Sequence, residues 1–292
     1  MNVNPNIFLD QNRYVDPNQL TADFNRSSLV NTYCLLINMP IREQAKPNNA
    51  PLGLCLLAAQ LQKYGAKVDI LDLNSYRIKD EASEDRGLEN GRVLLHSEAE
   101  EKIKAFTDGT DYDLIALSGL ITTLVWQKIT LKIIKKLSPD SYIVSGGGLA
   151  TEFREDLLNW MPELDGIAHS EGDRIILKIA HDANLIKNNK CLANSEKAAI
   201  IAPAKTVIKD GKLYAIYAGG RPRNLDDIPL PDWEVLSKDK NNKDILENYI
   251  NAPIWGKEVR NSSATSFSMK RSINTVSSRG CPFACKFCFR GA

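Results

Sequence analysis

The sequence predicts an α/β fold in which a doubly wound parallel sheet of five strands carries helices on both faces. Between residues 31 and 190, short apolar runs of strand length alternate with longer segments whose apolar residues have helical spacing. Such alternation is typical of parallel sheets with helical crossovers. Breaking residues bound the segments, since the first apolar run stops at Pro40 and the first helix stops at Gly65.

Five strands and five helices follow from this pattern. The strands are predicted at Thr32–Met39, Lys67–Leu73, Leu114–Ser118, Tyr142–Ser145 and Gly166–Ala168. The helices are predicted at Leu52–Tyr64, Glu98–Phe106, Val125–Leu137, Glu152–Trp160 and from a Ser170 cap to about Ala183, with Asp173 completing a capping box. Residues 74–112 are charged and are interpreted as an insertion on one face.

The pattern changes after residue 190. Asp210-Gly211 separates two short apolar runs and favours a β-hairpin. Residues 219–233 are rich in proline and predict an extended connector, and Ile273–Ser277 predicts one more short strand. We therefore divide the chain into an extension (1–30), the sheet domain (31–190), a hairpin and connector (191–270), and the start of a second domain (271–292).

Charge and hydropathy exclude several classes of function. The 37 basic and 36 acidic residues give a net charge of +1, so no basic excess exists to attract nucleic acid or an anionic membrane surface. The runs without a charged residue, Leu114–Gln127 among them, are all too short to span a bilayer. The first residues lack the basic and apolar regions of a secretory signal. We expect a cytoplasmic protein.

Three of the six cysteines lie close together, at Cys281, Cys285 and Cys288. Their thiolates, in a Cys-x3-Cys-x2-Cys pattern, can ligate three irons of a 4Fe–4S cluster. The fourth iron would then be open to a substrate amine or carboxylate. Structural zinc is the alternative, but zinc takes four ligands, and the nearest histidine, His181, lies about one hundred residues earlier.

The stretch S-R-G-C-P-F-A-C-K-F-C at 278–288 resembles the cluster loop of the radical S-adenosylmethionine superfamily. The resemblance implies that Cys281, Cys285 and Cys288 hold the cluster and that S-adenosylmethionine binds the open iron. It also implies that Phe287 lies near the adenine. An electron donor such as flavodoxin or ferredoxin would reduce the cluster.

Residues 31–190 resemble the Rossmann-like cobalamin-binding domain that precedes many enzymes of this superfamily. The stretches that carry the resemblance are P-L-G-L-C-L-L-A-A-Q-L at 51–61, L-S-G-L at 117–120, G-G-G-L-A-T at 146–151 and H-S-E-G-D at 169–173, followed by a connector, R-N-L-D-D-I-P-L-P-D-W, at 223–233. The resemblance implies that Ser118, Leu120 and Gly146–Gly148 serve the nucleotide tail of a corrinoid. These residues follow the third and fourth strands, where doubly wound sheets bind ligands.

The motif that supplies a histidine to cobalt, D-x-H-x-x-G, is missing. Residues 40–53 contain no histidine. Either the corrin is bound without a protein histidine, which is our expectation, or the domain has lost cobalamin. Other interpretations stay open: Gly146, Gly147 and Gly148 can be a tight turn only, and Glu171 with Asp173 can serve as helix caps or dipole partners rather than as an acid–base pair.

The expected function is that of a cobalamin-dependent radical S-adenosylmethionine enzyme, of the methyltransferase or of the oxidoreductase or cyclase type, acting on an unidentified small molecule. The alternative is a non-catalytic corrinoid-binding module or a vestigial fragment. Because the printed sequence stops four residues after Cys288, we expect it to be the front half of such an enzyme and to be inactive alone. No catalytic residue is assigned.

Overall fold

A computed structural model describes residues 23–41, 49–88, 91–189, 191–220, 222, 224–240 and 242–250, together with 271, 273, 275, 276 and 278–280. Its centre is one sheet with the strand order β2-β1-β3-β4-β5-β7-β6. The strands are β1 (Tyr33–Asn38), β2 (Lys67–Asp72), β3 (Leu114–Ser118), β4 (Tyr142–Gly146), β5 (Gly166–His169), β6 (Lys205–Lys209) and β7 (Lys212–Ala218).

The expectation of five strands is corrected to seven. All five predicted strands are present and parallel, but the predicted hairpin also enters the sheet, with β7 parallel to β5 and β6 antiparallel to β7. The physical reason is burial, since Leu213 to Tyr217 in β7 are all buried. A strand that is apolar on both faces needs cover on both faces. The predicted turn is present, with positive φ at Asp210 and Gly211.

Ten α-helices lie in the described part of the chain. They are α1 (Leu52–Lys63), α2 (Glu81–Asp85), α3 (His96–Thr107), α4 (Leu124–Leu137), α5 (Gly147–Phe153), α6 (Leu157–Trp160), α7 (Gly172–Asn188), α8 (Asn194–Ile201), α9 (Glu234–Ser237) and α10 (Glu247–Ile250). The first, third and fourth of these confirm predicted helices. None of the helices described is long and apolar enough to cross a membrane.

Two helix predictions need correction. The helix predicted at Glu152–Trp160 begins earlier, at Gly147, and is broken where Arg154 has a φ of 46°. Ser170 does not cap α7. Its φ is 67°, its hydroxyl pairs with the His169 ring, and the helix begins two residues later, at Gly172.

The predicted strand Ile273–Ser277 is not seen where the structure can test it. Its described residues, Ile273, Thr275 and Val276, are exposed and lie in no strand. The remaining positions of that segment lie outside the described residues.

The core lies on both faces of the sheet and contains one buried polar network. In α7, Lys178 forms an ion pair with Asp182. Asp182 also accepts a hydrogen bond from the Tyr217 hydroxyl at 3.1 Å, and the hydroxyls of Tyr217 and Tyr142 are 3.3 Å apart. This network connects α7 to β7 and β4, and each buried polar group in it has a partner.

Candidate cofactor-binding site

The predicted tail-binding residues meet at one edge of the sheet. Ser118 ends β3, and its register partners are Asn38 at the end of β1 and Gly146 at the end of β4. Because these strands are parallel, their carboxyl ends form one continuous edge. The structure thus brings together Ser118, Leu120 and the three glycines, as the sequence predicted.

The turn at Gly147 requires glycine for two reasons. Its φ is 78°, a left-handed conformation that costs an L residue about 1–2 kcal/mol. A Cβ at this position would also lie 3.0 Å from the Gly119 carbonyl oxygen and 3.3 Å from the Ser118 hydroxyl. Gly147 is exposed, so the backbone of this turn faces solvent beside Ser118.

The Ser118 hydroxyl remains free for a ligand. The residue is half-buried, and no other described residue forms a hydrogen bond with its oxygen. A second unpaired group lies next to Gly119. A Cβ there would be 2.7 Å from the amide nitrogen of Gln127, which is fully buried and has no partner in the described part. The amide oxygen of Gln127 accepts a hydrogen bond from Ser145 at 2.7 Å. The Gln127 amide beneath this edge is therefore polar, and only one of its two hydrogen-bonding atoms has a partner.

Large apolar side chains surround this edge and face water. Leu120, Ile121 and Val125 are exposed by 48%, 52% and 64%, and Ile41, after β1, by 43%. Contiguous exposed apolar surface on a soluble fold commonly marks a binding face. The edge thus combines hydrogen-bonding groups with apolar surface, which suits a large amphipathic ligand such as a corrinoid.

At the β1–β2 side of the carboxyl edge lies a buried carboxylate, that of Asp72. Asp72 accepts a hydrogen bond from the Asn38 amide at 2.8 Å and another from the hydroxyl of Tyr249. Burial raises the pKa of the Asp72 carboxyl group, while these bonds lower it. The sequence analysis did not predict this cluster, because Tyr249 lies in the 191–270 segment, far along the chain from both partners.

At the end of β5, His169 is partly buried, and its Nδ1 lies 3.1 Å from the Ser170 hydroxyl. Desolvation, together with the charge of Arg154, lowers the pKa of His169 to about 4. The imidazole is therefore neutral at pH 7. The local sequence around His169 does not show this burial.

Glu171 and Asp173, at the start of α7, take part in an ion pair that the sequence did not predict. The guanidinium of Arg279 lies 2.5 Å from Asp173 and 3.2 Å from Glu171. Glu171 forms no side-chain cap, whereas Asp173 lies in the first turn of α7, where a carboxylate can also act as a dipole partner.

The cluster motif itself lies outside the described residues, so Cys281, Cys285, Cys288 and Phe287 have no structural account here. Of the other cysteines, Cys34 and Cys55 are buried and Cys191 is exposed, all with free thiols. Burial raises the pKa of Cys55 to about 12. Cys34 and Cys55 thus belong to the packed core. Within the described part, no group of three His, Cys, Asp or Glu could hold a metal ion.

Comparison with known proteins shows which domain and which fold this chain resembles. Residues 40–179 match the family model of the B12 binding domain. Among solved structures, the cobalamin-dependent S-adenosylmethionine radical enzyme OxsB, with aqua-cobalamin and S-adenosylmethionine bound, superimposes with a TM-score of 0.50 at 17% identity, over 74% of this chain and 25% of that one. Residues 40–179 are thus similar to B12 binding domains, and the fold of the chain is similar to that of a cobalamin-dependent S-adenosylmethionine radical enzyme.

Two curated relatives are named for different activities. The anaerobic magnesium-protoporphyrin IX monomethyl ester cyclase of Rubrivivax gelatinosus is 27% identical, over 60% of this chain and 26% of the relative. The uncharacterized methyltransferase PH0819 of Pyrococcus horikoshii is 22% identical, over 82% of this chain and 40% of the relative. The chain spans about a quarter of the length of the cyclase.

Proposed function

We propose that this chain binds cobalamin at the carboxyl edge between β3 and β4 and a 4Fe–4S cluster through Cys281, Cys285 and Cys288, as part of a cobalamin-dependent radical S-adenosylmethionine enzyme. One observation carries the proposal. The free Ser118 hydroxyl lies beside the exposed Gly147 turn, at the ends of neighbouring strands, inside the region that matches a B12 binding domain.

Each part of this edge has a role in holding the corrinoid. The Ser118 hydroxyl hydrogen-bonds the nucleotide tail, and the backbone of Gly146–Gly148 lets the tail lie against the chain where a Cβ would clash. Leu120 and Ile121 offer apolar surface to the macrocycle. With no histidine in residues 40–53, the loop after β1 would supply no histidine ligand to cobalt. When bound, cobalamin supplies a cobalt centre that can carry a methyl group.

The cysteine motif provides the second cofactor site. Three thiolates are a suitable donor set for three irons of a cubane cluster, and the open fourth iron would take the amino and carboxylate groups of S-adenosylmethionine, with Phe287 near the adenine. The bound cluster supplies an electron for cleavage of the sulfonium. A small one-electron carrier, such as flavodoxin or ferredoxin, would reduce it, and a reducing compartment, the cytoplasm, would preserve it.

The reaction is either methyl transfer or an oxidative ring closure, on a small molecule. One relative is named a methyltransferase and the other a cyclase. A non-catalytic corrinoid-binding module is the second candidate. It is favoured by the position of the proposed cobalamin contacts, which all lie within the sheet and its loops.

The cobalamin site is tested by titrating the full chain with hydroxocobalamin and following the absorbance. Gly147→Ala should weaken binding at least about tenfold, because it places a Cβ in the turn beside Ser118, and a lost hydrogen bond plus steric cost exceeds about 1.4 kcal/mol. Gly109→Ala is the matched control. Gly109 also has a positive φ, 68°, but has open space around it and lies at the opposite edge.

The ligation is read from the paramagnetic resonance spectrum of the cob(II)alamin form. We expect no nitrogen splitting from a protein histidine. A split spectrum would contradict the ligation proposal, and equal affinity of Gly147→Ala and wild type would contradict the site.

The cluster is tested by anaerobic reconstitution with iron and sulfide. We expect a broad charge-transfer absorbance that Cys285→Ala abolishes, whereas Cys191→Ala, which removes an exposed thiol outside the motif, leaves it intact. If the chain bound stoichiometric zinc and no iron, the cluster assignment would be wrong and the cysteines would form a structural zinc site.

A further inference from the structure

The turn between β5 and α7 holds a buried carboxylate on a tightly packed backbone. Asp173, in the first turn of α7, is only 4% exposed. The turn before it is fixed from two sides. The Ser170 amide donates a hydrogen bond to the Thr151 hydroxyl at 3.0 Å, and the Gly219 backbone lies so close that a Cβ there would be 1.7 Å from the Glu171 carbonyl oxygen. This turn can serve as a rigid anchor.

Arg279 binds to that anchor through both terminal nitrogens of its guanidinium group. Its Nη1 and Nη2 donate to the two Asp173 carboxylate oxygens, at 2.5 and 3.0 Å, and Nη1 also donates to Glu171 at 3.2 Å. Two-pronged pairing of this kind fixes orientation as well as distance. The Asp173 side chain is almost fully buried and that of Arg279 is 26% exposed, so solvent screens the pair only in part. We refer to Arg279, Asp173 and Glu171 as the Arg279 clamp.

The clamp lies directly before the cysteine motif in the sequence. Only Gly280 separates Arg279 from Cys281, and two residues of chain span at most about 7 Å. The anchoring turn follows β5, which is the register neighbour of β4, and β4 ends at the Gly146–Gly148 turn. The clamp therefore binds Arg279, two positions before Cys281 in the sequence, to the edge that carries the proposed cobalamin site.

We propose that the Arg279 clamp is a positioning device that holds the cluster-binding loop against the carboxyl edge of the sheet, so that the cluster and the cobalamin lie at a fixed separation. Arg279, Asp173 and Glu171 act through the loop and touch neither cofactor. This inference rests on the proposed function for the two cofactors, but the contact itself can be tested without either of them.

The contact is tested on the cofactor-free full chain with a water-soluble carbodiimide, which joins a carboxylate to an adjacent lysine amine as an amide. The Arg279→Lys variant should give a cross-linked peptide between position 279 and Asp173 or Glu171, identified by mass spectrometry. The same variant carrying Asp173→Asn and Glu171→Gln should not. A cross-link to other carboxylates alone would overturn the clamp.

The positioning role is tested on the chain loaded with both cofactors, by the magnetic interaction between the reduced cluster and cob(II)alamin. Wild type should show broadened or split signals. Arg279→Gln and Asp173→Asn should each reduce the interaction severalfold at unchanged iron and cobalamin content, and the double variant should do no worse than either single one, as expected for two members of one pair. Glu100→Gln, which breaks an exposed ion pair with Lys136 on another face, should behave as wild type.

These outcomes separate the two proposals. If wild type fails to bind one of the cofactors, the proposed function fails, while the cross-link still decides the contact. If wild type binds both and shows no interaction, or if Arg279→Gln leaves the interaction unchanged, the positioning inference is wrong. Arg279→Gln changes no residue of α7, so a loss of the interaction in Asp173→Asn alone would reflect damage to that helix and would also overturn the inference.

Discussion

Single residues at the carboxyl edge differ in how far the sequence could reveal them. Ser118 and the three glycines were predicted, because each follows an apolar strand within a few residues and local pattern alone places it at the edge. The bond between Asp72 and Tyr249 was not, since the two residues are 177 positions apart. The burial of His169 was also missed, because it depends on neighbours from other elements that the local sequence does not show.

His169 gives a prediction at this scale. Its pKa of about 4 in the folded state lies below the value of about 6.5 expected in the unfolded chain. Below pH 6.5, His169 therefore binds a proton in the unfolded state that it does not bind in the folded state. The stability that depends on the neutral ring is complete above pH 6.5 and is lost as the pH falls towards 4. We expect a loss of about 1–2 kcal/mol, less than the full value because part of the ring contacts water.

Urea unfolding of the full chain at pH 7 and pH 5 measures this loss. His169→Gln should reduce the difference between the two unfolding free energies. His96→Gln, which changes an exposed histidine beside Trp126, should leave it as in wild type. An unchanged difference in His169→Gln would show that its ring does not resist protonation.

Among the elements, the hairpin shows where local pattern stops being informative. The Asp210-Gly211 turn and the two flanking strands followed from the sequence. The docking of β7 beside β5 did not, because a turn signal fixes how two strands meet and not which third strand they join. The capping-box pattern at Ser170 failed for a related reason. The serine side chain bonds to His169, and packing against β7 sets the path of the turn.

Gly219 tests that packing. It follows β7, and its amide donates to the His169 carbonyl at 2.9 Å. Because a Cβ would collide with the backbone oxygen of Glu171, Gly219→Ala should lower the free energy of unfolding by about 2–3 kcal/mol, in the range of overpacking. Gly53→Ala is the control, since that helical glycine has nothing within 4 Å and alanine should be neutral or stabilising by about 0.5 kcal/mol. Equal urea midpoints for both variants would contradict the close approach.

At the scale of the whole molecule, the segment that follows β7 returns to the opposite edge of the sheet and packs beside β2. The Asp232 amide donates to the Cys55 carbonyl at 3.1 Å, and Tyr249 donates to Asp72. The sequence predicted an extended connector here but could not show that it packs against α1 and β2. The division of the chain into four parts stays a prediction, although the sheet itself continues past residue 190 to Ala218.

Tyr249→Phe measures how much the hydrogen bond between Tyr249 and Asp72 contributes to the stability of the fold. Removing the hydroxyl leaves the buried Asp72 carboxylate with one donor fewer, which costs about 1–3 kcal/mol. Tyr33→Phe is the control, because the Tyr33 hydroxyl accepts only an exposed bond from Lys67 at 2.6 Å, and we expect a change within about 0.5 kcal/mol. Thermal unfolding of the three proteins decides the point. A Tyr249→Phe variant as stable as wild type would mean that the connector does not support the β2 edge.

The strand order also bears on how the molecule is made. After β1 and β2 have paired, β3 adds beside β1, and β4 and β5 then follow outward on the same side, with the β6–β7 hairpin last. During synthesis, which exposes the amino-terminal residues first, each new strand can therefore join a neighbour that is already in place, without an intervening gap. Only the β2 side is completed later, because Tyr249, which donates a hydrogen bond to Asp72, leaves the ribosome after the entire sheet. A nascent chain arrested before residue 249 would thus present a finished sheet with its Asp72 carboxylate still lacking one of its donors.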